Sequence, residues 1–381
     1  MKRISLRKAK KKMLILFIIL CSIILLITLI VMFFRIYNSF KVKIDTDTGI
    51  QEGTYIKIGG IEQYLQIRGE DKNNPVILWL HGGPGFPLTY LNYYYQTDLE
   101  KDYTIVCWEQ RGCGRTYYRN ENNDKMNIEQ MLADTDEIID YLRERFGQEK
   151  IIIIGQSWGT VLGMNYIHVH PEKVVAYIGV GQVTNFSQGK IYAAECAIKK
   201  AIENGNNKDA DLLEYGIEQL TATDNIKKLN VKSLEEMIIT SIKYLKCDGE
   251  MSGTKQIFSA ITSPEMSWND AKWFLFASDT QNIITSQNNL VDYMYFQFDV
   301  MDLSKEYGIP ICFIQGDNDW ITPTSLVNDY YEVIVSDKKE IITINNAGHT
   351  PFLDNPELFC EAVKAFLSEC EIGTYTSELS R

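Results

Sequence analysis

The stretch IIIIGQSWGTVLGMNYIHVHP, residues 151–171, decides the fold. Ile151–Ile154 is an unalternating run of β-branched residues, the pattern of a strand covered on both faces. Gly155-Gln156-Ser157-Trp158-Gly159 follows at once, and the helical stretch Trp158–His170 ends at Pro171. Strand, tight turn and helix around G-x-S-x-G form a nucleophile elbow, which strains the backbone at Ser157 and lifts its hydroxyl above the sheet. Glycine is required at 155 and 159 because side chains there would strike the neighbouring strand and helix.

Working outward, Val76–Leu80, Thr104–Trp108, Val174–Val180, Ile311–Ile314 and Ile341–Ile344 are further apolar, β-branched runs. Between them, Met126–Phe146 carries apolar residues at helical spacing, and Pro356–Leu367 is a helix with its proline at the start, where a missing N–H costs nothing. The alternation predicts an α/β class protein with a mostly parallel, doubly wound sheet, its core at 54–183 and 306–370. Thr54–Gly69 reads as a leading antiparallel hairpin turning at Gly59-Gly60. From 184 to 305 strand-like runs give way to helical, polar stretches, the signature of a helical cap inserted over the ligand-binding edge of the sheet.

Residues 13–34, MLILFIILCSIILLITLIVMFF, hold no charge over 22 positions. At 1.5 Å per residue they span roughly 33 Å, enough for the hydrocarbon core of a bilayer. The segment is apolar all round and no small-x-small cleavage site follows it, so it reads as an uncleaved transmembrane helix. Lys2, Arg3, Arg7, Lys8, Lys10, Lys11 and Lys12 precede it without an acid, which places residues 1–12 in the cytoplasm and the body outside the membrane. Residues 35–53 are expected as a linker and 371–381 as a tail. The 381-residue chain carries a net −12, and removing the seven basic charges of the first twelve residues leaves −19 on the remainder. An acidic body with no basic stripe argues against nucleic acid as a partner. Eight cysteines without C-x-x-C spacing suggest neither a disulfide framework nor a metal site, and free thiols on an exported body fit a bacterial protein.

A serine hydroxyl needs a base. Of four histidines, His168 and His170 lie eleven and thirteen residues along the helix behind Ser157, roughly 16–20 Å away by helical rise. His81 belongs to a separate glycine motif. His349 remains, in a loop directly after the last strand. Its imidazole needs a carboxylate, and Gly316-Asp317-Asn318-Asp319 follows strand Ile311–Ile314. Asp319 is the choice and Asp317 the turn-former. Gly83, in His81-Gly82-Gly83-Pro84-Gly85, and Trp158 supply backbone N–H groups for an oxyanion. No Lys-Ser/Thr follows the glycines, so they do not read as a phosphate cradle. No metal or organic cofactor is expected.

HGGPG at 81–85, EQRGCGRT at 109–116 and GQSWG at 155–159 together resemble the motifs HGGPG, DQRGxGxS and GxSWG of the proline iminopeptidase (prolyl aminopeptidase) family. The acid loop at Gly316–Pro323 and the loop at Ala347–His349 extend the resemblance through most of 54–370. It implies the α/β-hydrolase fold and a serine aminopeptidase acting on short peptides, with Ser157, Asp319 and His349 catalytic. Glu109 and Thr116 replace the family's usual Asp and Ser. Members of the family that cleave N-terminal proline hold the substrate ammonium with cap glutamates. Glu195, Glu214, Glu235, Glu236 and Glu265 match none of those positions, so the substrate-binding residues stay unassigned. Two further readings remain: an esterase or amidase using the same three residues on small acyl substrates, and a hydrolase-like surface binding protein.

Overall fold

A computed structural model describes residues 2–120, 126–277 and 280–370; the tail at 371–381 lies outside the described residues. Eight strands make one sheet: β1 (Ile50–Ile58), β2 (Ile61–Gly69), β3 (Val76–Leu80), β4 (Thr104–Glu109), β5 (Ile151–Gln156), β6 (Val174–Val180), β7 (Ile311–Gly316) and β8 (Lys339–Ile344). Their order is β1-β2-β4-β3-β5-β6-β7-β8. β2 pairs antiparallel with β1 and β4, and every pairing from β4 to β8 is parallel. The hairpin starts at Ile50 and turns at Gly59 and Gly60, which take φ of 55° and 83°.

Alternation along the strands sends side chains to two cores. Val76, Leu78 and Leu80 of β3 join Ile151 and Ile153 of β5 on one face. There they pack on helices α2 (Ile128–Phe146) and α3 (Trp158–Val169). Ile77, Trp79, Ile152 and Ile154 face the other way, against Phe352, Phe359, Val363 and Phe366. Both faces are covered, and for that reason the parallel strands carry continuous apolar runs.

Between β6 and β7 the described residues hold helices, among them α4 (Phe186–Glu203), α5 (Asn207–Thr221), α6 (Val231–Tyr244), α7 (Gly253–Ile261) and α8 (Trp268–Ala277). Asparagines 185, 206 and 230 precede α4, α5 and α6, and each accepts a bond from the backbone N–H three residues on. Each such cap satisfies a free donor and is worth about 1 kcal/mol. Ala193, Ala194, Ala197, Leu213, Leu234 and Met237 form the core of this helical layer.

The N-terminal helix α1 runs over Lys2–Lys41, longer than the apolar run. Among the described residues it is long and apolar enough to cross a membrane. The segment 35–53, expected as a linker, is helical up to Lys41 and strand from Ile50. The physical reason is tertiary: Val31, Phe34, Arg35 and Asn38 form one half-buried helical stripe against the helical layer. Arg35 donates to the Met266 carbonyl at 2.7 Å and Asn38 to the Thr262 carbonyl at 3.0 Å.

Candidate active site

Ser157 sits in the sharp turn between β5 and α3 with φ 52° and ψ −117°. An L-residue held there stores of order 1–3 kcal/mol of strain. Its N–H donates to the Val180 carbonyl at 2.9 Å. The flanking glycines are sterically required. A Cβ on Gly159 would lie 2.0 Å from the Leu80 carbonyl oxygen of β3, and one on Gly155 would lie 2.5 Å from the Gly159 carbonyl oxygen.

Asp319 and His349 come from the loops after β7 and β8. His349 Nδ1 lies 2.9 Å from Asp319 Oδ2. The other carboxylate oxygen accepts the N–H groups of Ile321 and Thr322, both at 2.9 Å. The Thr322 hydroxyl donates to Oδ2 at 2.6 Å. Burial works to raise the Asp319 pKa, but the His349 charge and these donors outweigh it and hold the carboxyl below its ordinary value. Asp317 faces outward and accepts from the Ala347 N–H at 3.1 Å, tying the acid loop to the histidine loop. The structure therefore brings Asp319, not Asp317, to the imidazole. The ring of His349 also packs on Gly181, just past β6, where a Cβ would lie 2.9 Å from Cε1. Ser157 and His349 thus flank the same strand end, Val180-Gly181. His168 and His170 lie at the far end of α3, beside Ser304 and Glu172.

Gly83 has φ 123°, and a Cβ there would fall 2.4 Å from the Gly85 nitrogen. Trp158 opens α3, so its N–H has no helical carbonyl behind it. Two side chains brace these positions. His81 Nε2 accepts the Gln110 N–H at 3.2 Å, leaving Nδ1 to donate to the Gly82 carbonyl at 2.7 Å. Gln110 Oε1 accepts from the Trp158 indole at 3.0 Å. The EQRG segment thereby links the glycine loop to the elbow.

Helix α8 is fastened over the glycine loop. The Trp273 indole donates to the Gly85 carbonyl at 2.8 Å. Arg115, at the head of a short helix Gly114–Arg119, grips Asp270 through Nε at 2.9 Å and Nη2 at 2.7 Å, and both side chains are buried. Glu109 is buried beside them; burial first, then the Asp270 charge, raises its pKa to about 7 against the pull of Arg115. A small pocket beside the glycine loop is lined by Phe86, Tyr90, Trp273, Phe274 and Ala277.

Two charged residues close to the acid–histidine pair escaped the sequence reading. Glu250 lies in the loop between α6 and α7, and its carboxyl rests on Gly348, where a Cβ would meet Oε1 at 2.0 Å. The residue as a whole is exposed. Partial burial of the carboxyl, then the charges of Asp354 and Asp319, raise its pKa. Lys190 of α4 is buried, with its ammonium 4.4 Å from the Phe186 ring centroid. Burial lowers its pKa to about 8, while the Asp319 charge acts the other way. No local signal marks either residue, because both owe their setting to loops distant in sequence. Among the glutamates weighed from sequence, Glu195, Glu214 and Glu236 are exposed, Glu235 is half-buried, and Glu265 lies 3.5 Å from Arg68.

This sheet, with a strained serine after β5 and an acid–histidine pair after β7 and β8, defines an α/β-hydrolase. A family model described as the alpha/beta hydrolase fold matches residues 75–193. The resemblance to proline iminopeptidases extends over most of the chain. A probable aminopeptidase, YbaC of Bacillus subtilis (strain 168), is 27% identical over 312 residues, covering 81% of this chain and 93% of that protein. A proline iminopeptidase of Lactobacillus helveticus is 22% identical over 327 residues, covering 81% and 95%. The crystal structure of a proline iminopeptidase-related protein from Thermus thermophilus superposes with a TM-score of 0.57 at 20% identity, covering 84% of this chain and 98% of that one.

Proposed function

We propose that this chain is a membrane-anchored serine aminopeptidase that releases an N-terminal residue, proline among the candidates, from short peptides. The Ser157 hydroxyl attacks the carbonyl carbon of the first residue while His349 Nε2 takes its proton. Asp319 accepts the Nδ1–H and stabilises the imidazolium. The N–H groups of Gly83 and Trp158 hold the oxyanion. Collapse breaks the peptide bond, and the leaving amine takes the proton from His349. Water, deprotonated by the same imidazole, then cleaves the acyl-enzyme and restores Ser157. We assign the substrate ammonium to Glu250, the acid on the insert that reaches the histidine loop.

The observation that carries this reading is the 2.9 Å Nδ1–Oδ2 pair beside a serine in left-handed backbone at the same strand end. The sequence of 13–34 supports the anchor, with the basic residues before it in the cytoplasm and the body outside. Ser157→Ala should abolish turnover of a prolyl arylamide and leave the circular dichroism spectrum unchanged; retained turnover rules the mechanism out. Glu250→Gln should raise KM for the free-amine arylamide and leave a p-nitrophenyl ester unaffected.

Lys190 favours a second reading. A buried cation near Asp319 is an unusual neighbour for a substrate carrying its own positive charge, and suits an ester or amide without a free amine. Equal turnover of the prolyl arylamide and its N-acylated form would select that reading over the aminopeptidase.

A further inference from the structure

The helical layer that grips α1 also carries an apolar face open to solvent beside it. Ile257, Phe258 and Ile261 lie on one side of α7, the side opposite buried Ser259 and Ala260. Trp268 and Leu275, seven residues apart and so on one face of α8, are 77% and 73% exposed. A tryptophan this exposed is uncommon in water and common at a membrane interface, where an amphipathic ring sits among headgroups.

The depth of this face follows from what it touches. Phe34 is the last residue of the charge-free run, and its ring meets Phe258 with centroids 5.4 Å apart. Arg35, the next residue, donates to Met266, two positions before Trp268. If residues 13–34 fill the hydrocarbon core, then Phe258, packed on Phe34, and Met266, bonded to Arg35, lie at its outer edge, and Trp268 follows Met266 by two residues.

We propose that the face formed by Ile257, Phe258, Ile261, Trp268 and Leu275 rests in the headgroup–acyl boundary of the phospholipid leaflet that the anchor enters. The proposal depends on the anchor reading above. The body is then held to the membrane twice, by α1 through the bilayer and by α7 and α8 on its surface. The inner side of α8, with Trp273, Phe274 and Ala277, lines the pocket beside the glycine loop, so a single helix separates lipid from that pocket.

The test uses the full chain in phosphatidylcholine–phosphatidylglycerol nanodiscs, with acyl chains either plain or brominated near the glycerol end. Trp79, Trp108, Trp158 and Trp273 are buried and Trp320 is half-buried, so Trp268 is the tryptophan open to the lipid. Brominated lipid should quench part of the fluorescence, and Trp268→Phe should lose that part, while buried-tryptophan emission reports an intact fold. Quenching of Trp268 by aqueous acrylamide but not by brominated lipid overturns the proposal, since the face is then wet. Quenching by neither also overturns it, with protein such as a second copy of the chain covering the face. Extraction of the full chain from vesicles by alkaline carbonate would sink the anchor, and this contact with it; resistance to carbonate together with a wet Trp268 would sink the contact alone.

Discussion

Burial holds the His81 imidazole neutral, with its pKa pushed down from 6.5 to about 4 and the Gly82 hydrogen bond opposing the shift only in part. An unfolded chain takes up a proton here between pH 6.5 and 4, whereas the folded one does not. The stability that His81 contributes is therefore complete above pH 6.5 and declines as pH falls toward 4, by about 1.4 kcal/mol per unit. Glu109 has the opposite sign. Its folded pKa of about 7 exceeds the ordinary 4.5, so its contribution is full below 4.5 and lost as pH rises through 7. Comparison with His81→Asn isolates the histidine: the stability gap between wild type and variant, from urea unfolding, should narrow as pH falls from 7 to 4.5. A gap independent of pH would contradict the neutral, buried imidazole. The sequence marks His81 as part of a glycine motif. Its bond to the Gln110 N–H, twenty-nine residues away, is not legible there because it depends on the two loops meeting above β3 and β4.

Among the elements, the central strands were legible because a strand buried on both faces must be apolar throughout, whereas their order in the sheet was not written in any local run. The helix starts after Asn185, Asn206 and Asn230 were not read from the sequence; the structure shows them. The way α8 is latched was not legible either, since Arg115 and Asp270 are separated by 155 positions and each looks like an ordinary surface charge in its own segment. Removing one partner of a buried ion pair leaves the other uncompensated, which costs roughly 3–5 kcal/mol. Asp270→Ala should lie at the lower end because Glu109 remains 3.6 Å from Arg115. The same substitution should reduce kcat, since α8 also holds Gly85 through Trp273. A melting temperature equal to wild type would show that Arg115 finds full compensation without α8.

For the whole molecule, the junction between α1 and the body is the feature that sets how the candidate site sits relative to the apolar helix. Two side-chain bonds from Arg35 and Asn38 anchor it, with Arg68 donating to the Val42 carbonyl at 2.6 Å where the helix ends. Each such bond is worth about 1 kcal/mol net. Replacing Arg35 and Asn38 together by alanine should speed amide exchange at 31–41 and 258–266 by roughly tenfold, for a loss near 1.4 kcal/mol or more. Exchange in β3 to β8 should not change. Unchanged exchange at 31–41 would mean that the apolar contact of Phe34 with Phe258 suffices.

Sequence alone determined the doubly wound sheet, the elbow at Ser157, the identity of Asp319 and His349 as candidates, and the charge-free span at 13–34. Each of these is written in a local pattern: periodicity, a glycine where no Cβ fits, or an uninterrupted apolar run. Only the tertiary structure decided that Glu250 reaches the histidine loop, that Lys190 is buried, and that α1 continues past the apolar run to lie on α7. Those outcomes depend on which surfaces the folded chain apposes, and a carboxylate, an ammonium or a polar helix face carries no mark of its future neighbour in the residues beside it.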